Sequence, residues 1–79
     1  MKVLFFAQIR EFTRRADCDL PVTNAIGADD LWTMLEKLFP GIANFRSSTR
    51  LARNADFATS GELFNNHDEV ALLPPVSGG

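Results

Sequence analysis

The chain has 79 residues, 46% of them apolar and 23% charged, which fits one small globular domain and excludes a disordered segment. Eight Lys and Arg against ten Asp and Glu leave a net charge of −2, the wrong sign for a protein that holds nucleic acid by neutralising phosphates. A single cysteine and a single histidine exclude an internal disulfide and a Cys/His zinc cluster. Seven Phe and one Trp must therefore supply much of the core.

The first predicted element is a strand over Lys2–Ala7, with Val3, Phe5 and Ala7 on one face and Leu4 and Phe6 on the other. Its apolar run is too short for a signal or membrane segment and is followed by Arg10, Glu11, Arg14 and Arg15. With a free cysteine, the expectation is a soluble cytoplasmic protein with no membrane association. A short polar turn, open to helical geometry, follows over Gln8–Arg15. A second strand is predicted for Asp17–Val22, where Cys18, Leu20 and Val22 share a face opposite Asp17 and Asp19. Pro21 cannot donate to a ladder, which points to an edge position. These two strands should pair as an antiparallel hairpin.

The spacing then predicts a helix over Ala28–Phe39. Asp29 and Asp30 lie in its first turn, Leu31, Met34, Leu35 and Leu38 form a core stripe, and Pro40-Gly41 ends it. Ile42–Thr49 shows little periodicity and reads as a connection. Leu51–Phe57 and Glu69–Leu73 are the remaining strands, separated by a polar stretch with Ser60-Gly61 and Asn65-Asn66-His67-Asp68. Leu63 and Phe64 should tuck that stretch onto the core. Strands around a single helix give an α+β class, one main helix packed across a mixed sheet in the ubiquitin-like β-grasp manner.

The domain should occupy residues 1–73, leaving an extended tail over 74–79, Pro74-Pro75-Val76-Ser77-Gly78-Gly79. Two prolines end the ladder and keep the departing backbone extended. The final glycines have no Cβ and fit a channel too narrow for a side chain. Val76 to Gly79 reach roughly 14 Å when extended. A terminal carboxylate is a poor electrophile until it is joined to a good leaving group such as AMP, after which a sulfur or amine nucleophile can take the acyl group. Gly-Gly alone favours an inert, frayed end, but the Pro-Pro-Val before it, directly after the last predicted strand, points to a functional tail.

The opening Lys-Val-Leu-Phe-Phe-Ala-Gln-Ile-Arg-Glu at 2–11, the Phe-Pro-Gly at 39–41 and above all Asp-Glu-Val-Ala-Leu-Leu-Pro-Pro-Val-Ser-Gly-Gly at 68–79 resemble the MoaD sulfur carriers of the MoaD/ThiS superfamily, the small subunits of molybdopterin synthase. The resemblance spans the chain and is most specific at its two ends. Within Ile42–Phe64 only Asn54 stands where that family commonly has an asparagine. It implies a β-grasp fold and a co-substrate subunit whose partner supplies most catalytic side chains. Gly79 would be adenylated by an E1-like adenylyltransferase using ATP and converted to a thiocarboxylate, with no cofactor bound to this chain. Pro75, Val76, Ser77, Gly78 and Gly79 would enter the active site of the large synthase subunit. There the sulfur would pass to cyclic pyranopterin monophosphate to build the dithiolene of molybdopterin, in a heterotetramer formed around a large-subunit dimer. His67 replaces a frequent glycine and Ser77 a frequent threonine. A thiamine-pathway sulfur carrier, a ubiquitin-like protein modifier and a plain interaction domain with an inert tail are the alternatives.

Four further residues belong to the candidate site. If the helix covers the Val3/Phe5 and Val70/Leu72 face, then Leu4, Phe6, Ala71 and Leu73 share the far face, either as a partner interface or beneath the Ile42–Thr49 segment. Cys18 reads as a small buried hydrophobe and His67 as a solvated turn residue, which argues against a catalytic dyad. Arg46, Arg50 and Arg53 form a basic group that suits either a solvated face or docking to an acidic partner. Arg10 and Glu11 are expected either to fix the turn after strand one or to touch the partner of the tail.

Overall fold

A computed structural model describes residues 1–74. Strand β1 (Lys2–Phe5) buries Val3 and Phe5 and leaves Lys2 exposed. It is central, pairing antiparallel with β2 (Asp17–Asp19) and parallel with the last strand, β5 (Glu69–Leu73). The strand is shorter than the expected Lys2–Ala7. Phe6 remains extended, but Ala7 turns to φ 49 and begins helix α1 (Ala7–Thr13). The polar turn is thus a helix, held to the core by Ile9 and Thr13, buried one turn apart. Arg14 closes it in the left-handed region at φ 59, its N–H donating to the Arg10 carbonyl at 2.8 Å.

The β1–β2 hairpin register, Val3 opposite Cys18, matches the expected pairing. β2 lies at the sheet edge, where Pro21 was expected to place it. The strand stops at Asp19 rather than Val22. Leu20 still donates to the Met1 carbonyl at 2.7 Å, after which Pro21 has no N–H to continue the ladder.

Helix α2 (Ala28–Leu38) starts at Gly27 with Asp29 and Asp30 in its first turn and Lys37 in its last, each charge opposing the nearby end of the helix dipole. Its core face is rotated from the expected stripe. Leu31 and Leu35 are fully buried, but Trp32 joins them at 4% exposure while Leu38 stands 53% exposed. The indole buries more apolar surface than a leucine, and the segment after α2 packs back to cover it. Phe39 continues this face, its ring edge-on to Phe5 at 5.5 Å.

That following segment is a 3-10 helix, η1 (Ile42–Ser48), where only a connection was expected. Gly41 reverses the chain at φ 102, and a Cβ there would approach the Phe12 ring to 3.0 Å, so position and contact both require glycine. The Glu36 carboxylate accepts N–H bonds from Gly41 at 2.7 Å and Ala43 at 2.9 Å. These two donors hold its pKa below the usual carboxylate value.

The predicted strand Leu51–Phe57 is in fact two: β3 (Arg50–Arg53) and β4 (Asp56–Phe57), joined by Asn54 and Ala55 at φ 50 and 75. Two successive positive φ values define the tight hairpin turn whose twist matches the strands. Asn54 tolerates that conformation, but Ala55 is not a residue that advertises it. β3 pairs antiparallel with β5, completing the order β2-β1-β5-β3-β4. Five mixed strands with α2 across one face form the expected β-grasp. Phe64 is held beneath the sheet side by a bridge to Ile26, with N–H···O distances of 2.8 and 2.9 Å, and it is buried as predicted, whereas Leu63 stands 53% exposed.

Side-chain clamps fasten the loops. Asn66 Oδ1 accepts bonds from the Met1 amino group and the Val22 N–H at 3.0 and 3.1 Å. Asn54 Oδ1 accepts the Glu69 N–H at 2.9 Å while its amide donates to Asp68 at 3.1 Å. Asp68 also accepts the Asn65 N–H at 2.7 Å. That bond, then Asn54, Arg53 and His67, depress the Asp68 pKa against the opposing effect of burial.

Replacing Asn54 with Ala removes both clamp bonds and the residue suited to positive φ, and should lower stability by about 1–3 kcal/mol. In urea unfolding this appears as a lower midpoint at constant slope; an unchanged midpoint would dismiss the clamp. Because the Asp68 pKa is lowered by folding, its contribution is present above the unfolded carboxylate value and is lost as pH falls through the folded one. Asp68→Asn should therefore flatten the acid limb of the stability–pH curve, and an acid limb parallel to that of the parent would contradict this.

Candidate functional site

Strand parity and the cover of α2 define the site. Val3, Phe5, Val70 and Leu72 face the helix and are at most 1% exposed. Their neighbours in sequence therefore share the opposite face. On it, Leu4 lies directly beside Ala71, and Leu73 follows two residues on, opposite Arg50. All three apolar side chains are half-buried. Strand β3 adds Ala52 beside Ala71, and β4 adds Phe57 beside Ala52. Phe57 is 54% exposed, and the Arg50 guanidinium sits 3.9 Å from the centre of its ring, a cation–π contact that leaves the charge accessible.

Phe6 departs from this row. It lies beyond the end of β1, 41% exposed, and shares a shallow depression with Gln8, Ile9, Phe45, Thr49 and Pro74. It therefore borders the root of the tail. The segment Ile42–Thr49, the alternative cover for the far face, instead packs η1 against α1 and α2. Its last residues reach only the depression at Pro74.

The structure brings Leu4 and Ala71 into register and keeps Leu73 on their face. The tail residues Pro75, Val76, Ser77, Gly78 and Gly79 lie outside the described residues.

Ala52, Phe57 and the Arg50–Phe57 stack were not singled out from sequence. In one continuous strand Ala52 and Phe57 would point to opposite faces, because five positions separate them. The two-residue turn folds β4 back so that they become cross-strand neighbours. The available signal was Asn54, a residue suited to the left-handed region within a run otherwise rich in strand formers.

The expected basic group does not assemble. Arg46 pairs with Asp29 at the start of α2. Arg53 pairs with Glu62 at 3.2 Å and donates to the Leu63 carbonyl at 3.0 Å. Arg50 alone turns to the far face, over Phe57. Arg10 and Glu11 lie on α1, where they line a surface concavity with Arg14 and Arg15.

Cys18 is buried on the core face, as expected. Burial pushes its thiol pKa up, with Arg15 opposing, so the reactive thiolate is disfavoured. His67 is exposed in the turn before β5. No hydrogen bond joins it to Cys18 among the described residues, and those residues contain no group of His, Cys, Asp and Glu arranged to hold a metal ion.

The chain is 34% identical over 79 residues to a molybdopterin synthase sulfur carrier subunit of Arabidopsis thaliana, covering all of this chain and 82% of that one. A protein of the same name from Drosophila yakuba is 40% identical over 82 residues, covering 98% of this chain and 88% of its own. Among solved structures, SAMP1 of Haloferax volcanii superposes with a TM-score of 0.80 at 27% identity, over 100% of this chain and 98% of that one. Residues 3–79 match the model of the ThiS family. With its β-grasp sheet and full-length kinship to these carriers, the chain belongs to the ThiS family.

Proposed function

We propose that this chain is the sulfur-carrier small subunit of molybdopterin synthase, delivering sulfur from a thiocarboxylate on Gly79. The observation that carries this reading is the match between Asp68–Gly79 and the carrier signature, placed directly on the last strand of the sheet. Relatives at 34% and 40% identity that bear this role in their names support it.

The chemistry follows from the tail. A carboxylate oxygen of Gly79 attacks the α-phosphorus of ATP on an E1-like adenylyltransferase, and pyrophosphate leaves. A hydrosulfide, as sulfur at the sulfide level, then adds to the acyl carbon, expels AMP and loses its proton, leaving the thiocarboxylate. The large synthase subunit receives Pro75, Val76, Ser77, Gly78 and Gly79 in its active site. There the sulfur passes to cyclic pyranopterin monophosphate. The dithiolene needs two sulfurs, so two charged carriers serve each product. This chain contributes the acyl group and the docking surface; catalytic side chains belong mostly to its partner, and it holds no cofactor of its own. Leu4, Ala71, Leu73 and Phe57 are the apolar centre of that docking surface, with Phe6 at the tail root and Arg50 at the rim. No described helix is long and apolar enough to cross a membrane, and an inert, buried thiol suits the reducing cytoplasm.

One observation favours a second reading. The likeness in fold to SAMP1, a small archaeal modifier protein, suits a protein modifier whose Gly79 becomes linked to lysines. Conjugates of higher mass that survive boiling and reductant would favour it.

Intact mass after incubation with the E1-like enzyme, ATP and a sulfur donor should rise by the exchange of one oxygen for sulfur. Deleting Gly79 should abolish the shift; no shift with a demonstrably active enzyme would refute the carrier reading. Leu73→Asp should weaken binding to the large subunit on the order of tenfold or more while unfolding stays cooperative. Equal affinity in a calorimetric titration would remove Leu73 from the interface.

A further inference from the structure

We propose that Arg10, Arg14 and Arg15 form a docking site for an acidic segment of the large subunit that receives the tail. This goes beyond the far-face interface and rests on the carrier reading above. The three arginines line one concave surface with Ala7, Glu11 and Ala16. All three are exposed, and none makes an ion pair among the described residues, even though Glu11 borders the same concavity. Among the described residues the Arg15 side chain makes one hydrogen bond, from Nε to the Asp17 carbonyl at 3.1 Å.

Charge is distributed unevenly along the chain. Residues 7–16 hold three arginines and one glutamate, a net +2, while the remainder holds five basic and nine acidic residues, a net −4. Of the five other cations, Lys2 is matched by Asp17, Arg46 by Asp29, and Arg53 by Glu62 and Asp68, while Arg50 stacks on Phe57 and Lys37, at the end of α2, makes no ion pair among the described residues. Three like charges lining one concavity, only partly offset by Glu11, repel one another, and a carboxylate-bearing partner relieves that repulsion. Guanidinium forks suit such carboxylates through paired N–H···O bonds.

Location selects the occupant. The first turn of α1, at Gln8 and Ile9, borders the depression that contains Pro74. Arg14 lies about 9 Å further along the same axis at 1.5 Å per residue. Arg10, about 3 Å along that axis at the same rise, thus lies within a Debye length, about 8 Å at physiological salt, of a protein that encloses the tail, with Arg14 at the edge of that range. Attraction at that range steers encounter and orients the tail before the short-range apolar contacts form.

The test is the association rate of the full chain with the large synthase subunit, followed by stopped flow across a salt series. Changing Arg14 and Arg15 together to Gln should lower the rate about three- to tenfold at low salt, with the difference disappearing at high salt. Arg14→Lys with Arg15→Lys should retain most of the rate, since the charge remains. Urea midpoints should agree among the variants, because neither residue is ion-paired within the fold. If the parent chain binds and the Gln variant matches its rate at every salt concentration, the docking site is overturned and the carrier reading stands. If the parent chain does not bind the large subunit, both readings fall. If the Gln variant instead loses only binding of inorganic pyrophosphate, the cluster is a small-anion site and the proposal is overturned.

Discussion

Parallel pairing of β1 with β5, from Lys2 beside Glu69 to Phe5 beside Leu72, joins strands from the two ends of the chain into the centre of the sheet, and the other elements are arranged around it. Parallel neighbours cannot be joined by a tight turn, so everything between them must serve as the crossover or as its accessory. Helix α2 fills that role and seals Val3, Phe5, Val70 and Leu72 from water. Burial of these side chains, each contributing roughly 1.5–3 kcal/mol, offsets the entropy of closing so long a loop.

A small chain with a single cysteine, and so no internal disulfide, needs further means of fastening its loops. Here they are single polar side chains serving several backbone groups at once. Asn66 links the start of β1 to the segment after β2, Glu36 caps η1, and Asn54 with Asp68 locks the β3–β4 turn to the strand that leads into the tail. The clamps stand around the sheet's rim, and the apolar far face remains free of them. That separation leaves one surface rigid in backbone and half-exposed in side chain, as a docking surface requires.

The same pairing places the chemistry. β5 runs into Pro74, and because β1 is its parallel neighbour, Phe6 and the first turn of α1 border that exit. The proposed carrier function thus draws on three features: an apolar sheet face, the tail root that β5 leads into, and the arginines of α1, whose first turn borders that root. On the proposed reading the chain supplies the acyl group and a means of being held.

Much of the fold was legible in the residues because the signals were local. The period of 2 in β5, the capping and termination of α2, and Pro21 at an edge each act over a few positions, and the ends of the chain carry the carrier signature by themselves. Other features depended on partners distant in sequence. Ala55 has no intrinsic preference for positive φ, so the turn that splits β3 from β4 is imposed by Asn54, Asp68 and Glu69 closing around it. That turn in turn carries Phe57 across to Ala52 and Arg50. Trp32 displaced Leu38 from the core because η1, which has no periodic pattern of its own, supplies the cover. The arginines of 46–53 separated because Arg46 and Arg53 found different carboxylates and Arg50 an aromatic ring, whereas those of 10–15 make no ion pair among the described residues. Short-range steric and hydrogen-bonding preferences are written in the sequence and determined the elements and the tail. Which side chains meet, and which charges are left without a counterpart, is a property of long-range pairing and was decided only by the tertiary structure.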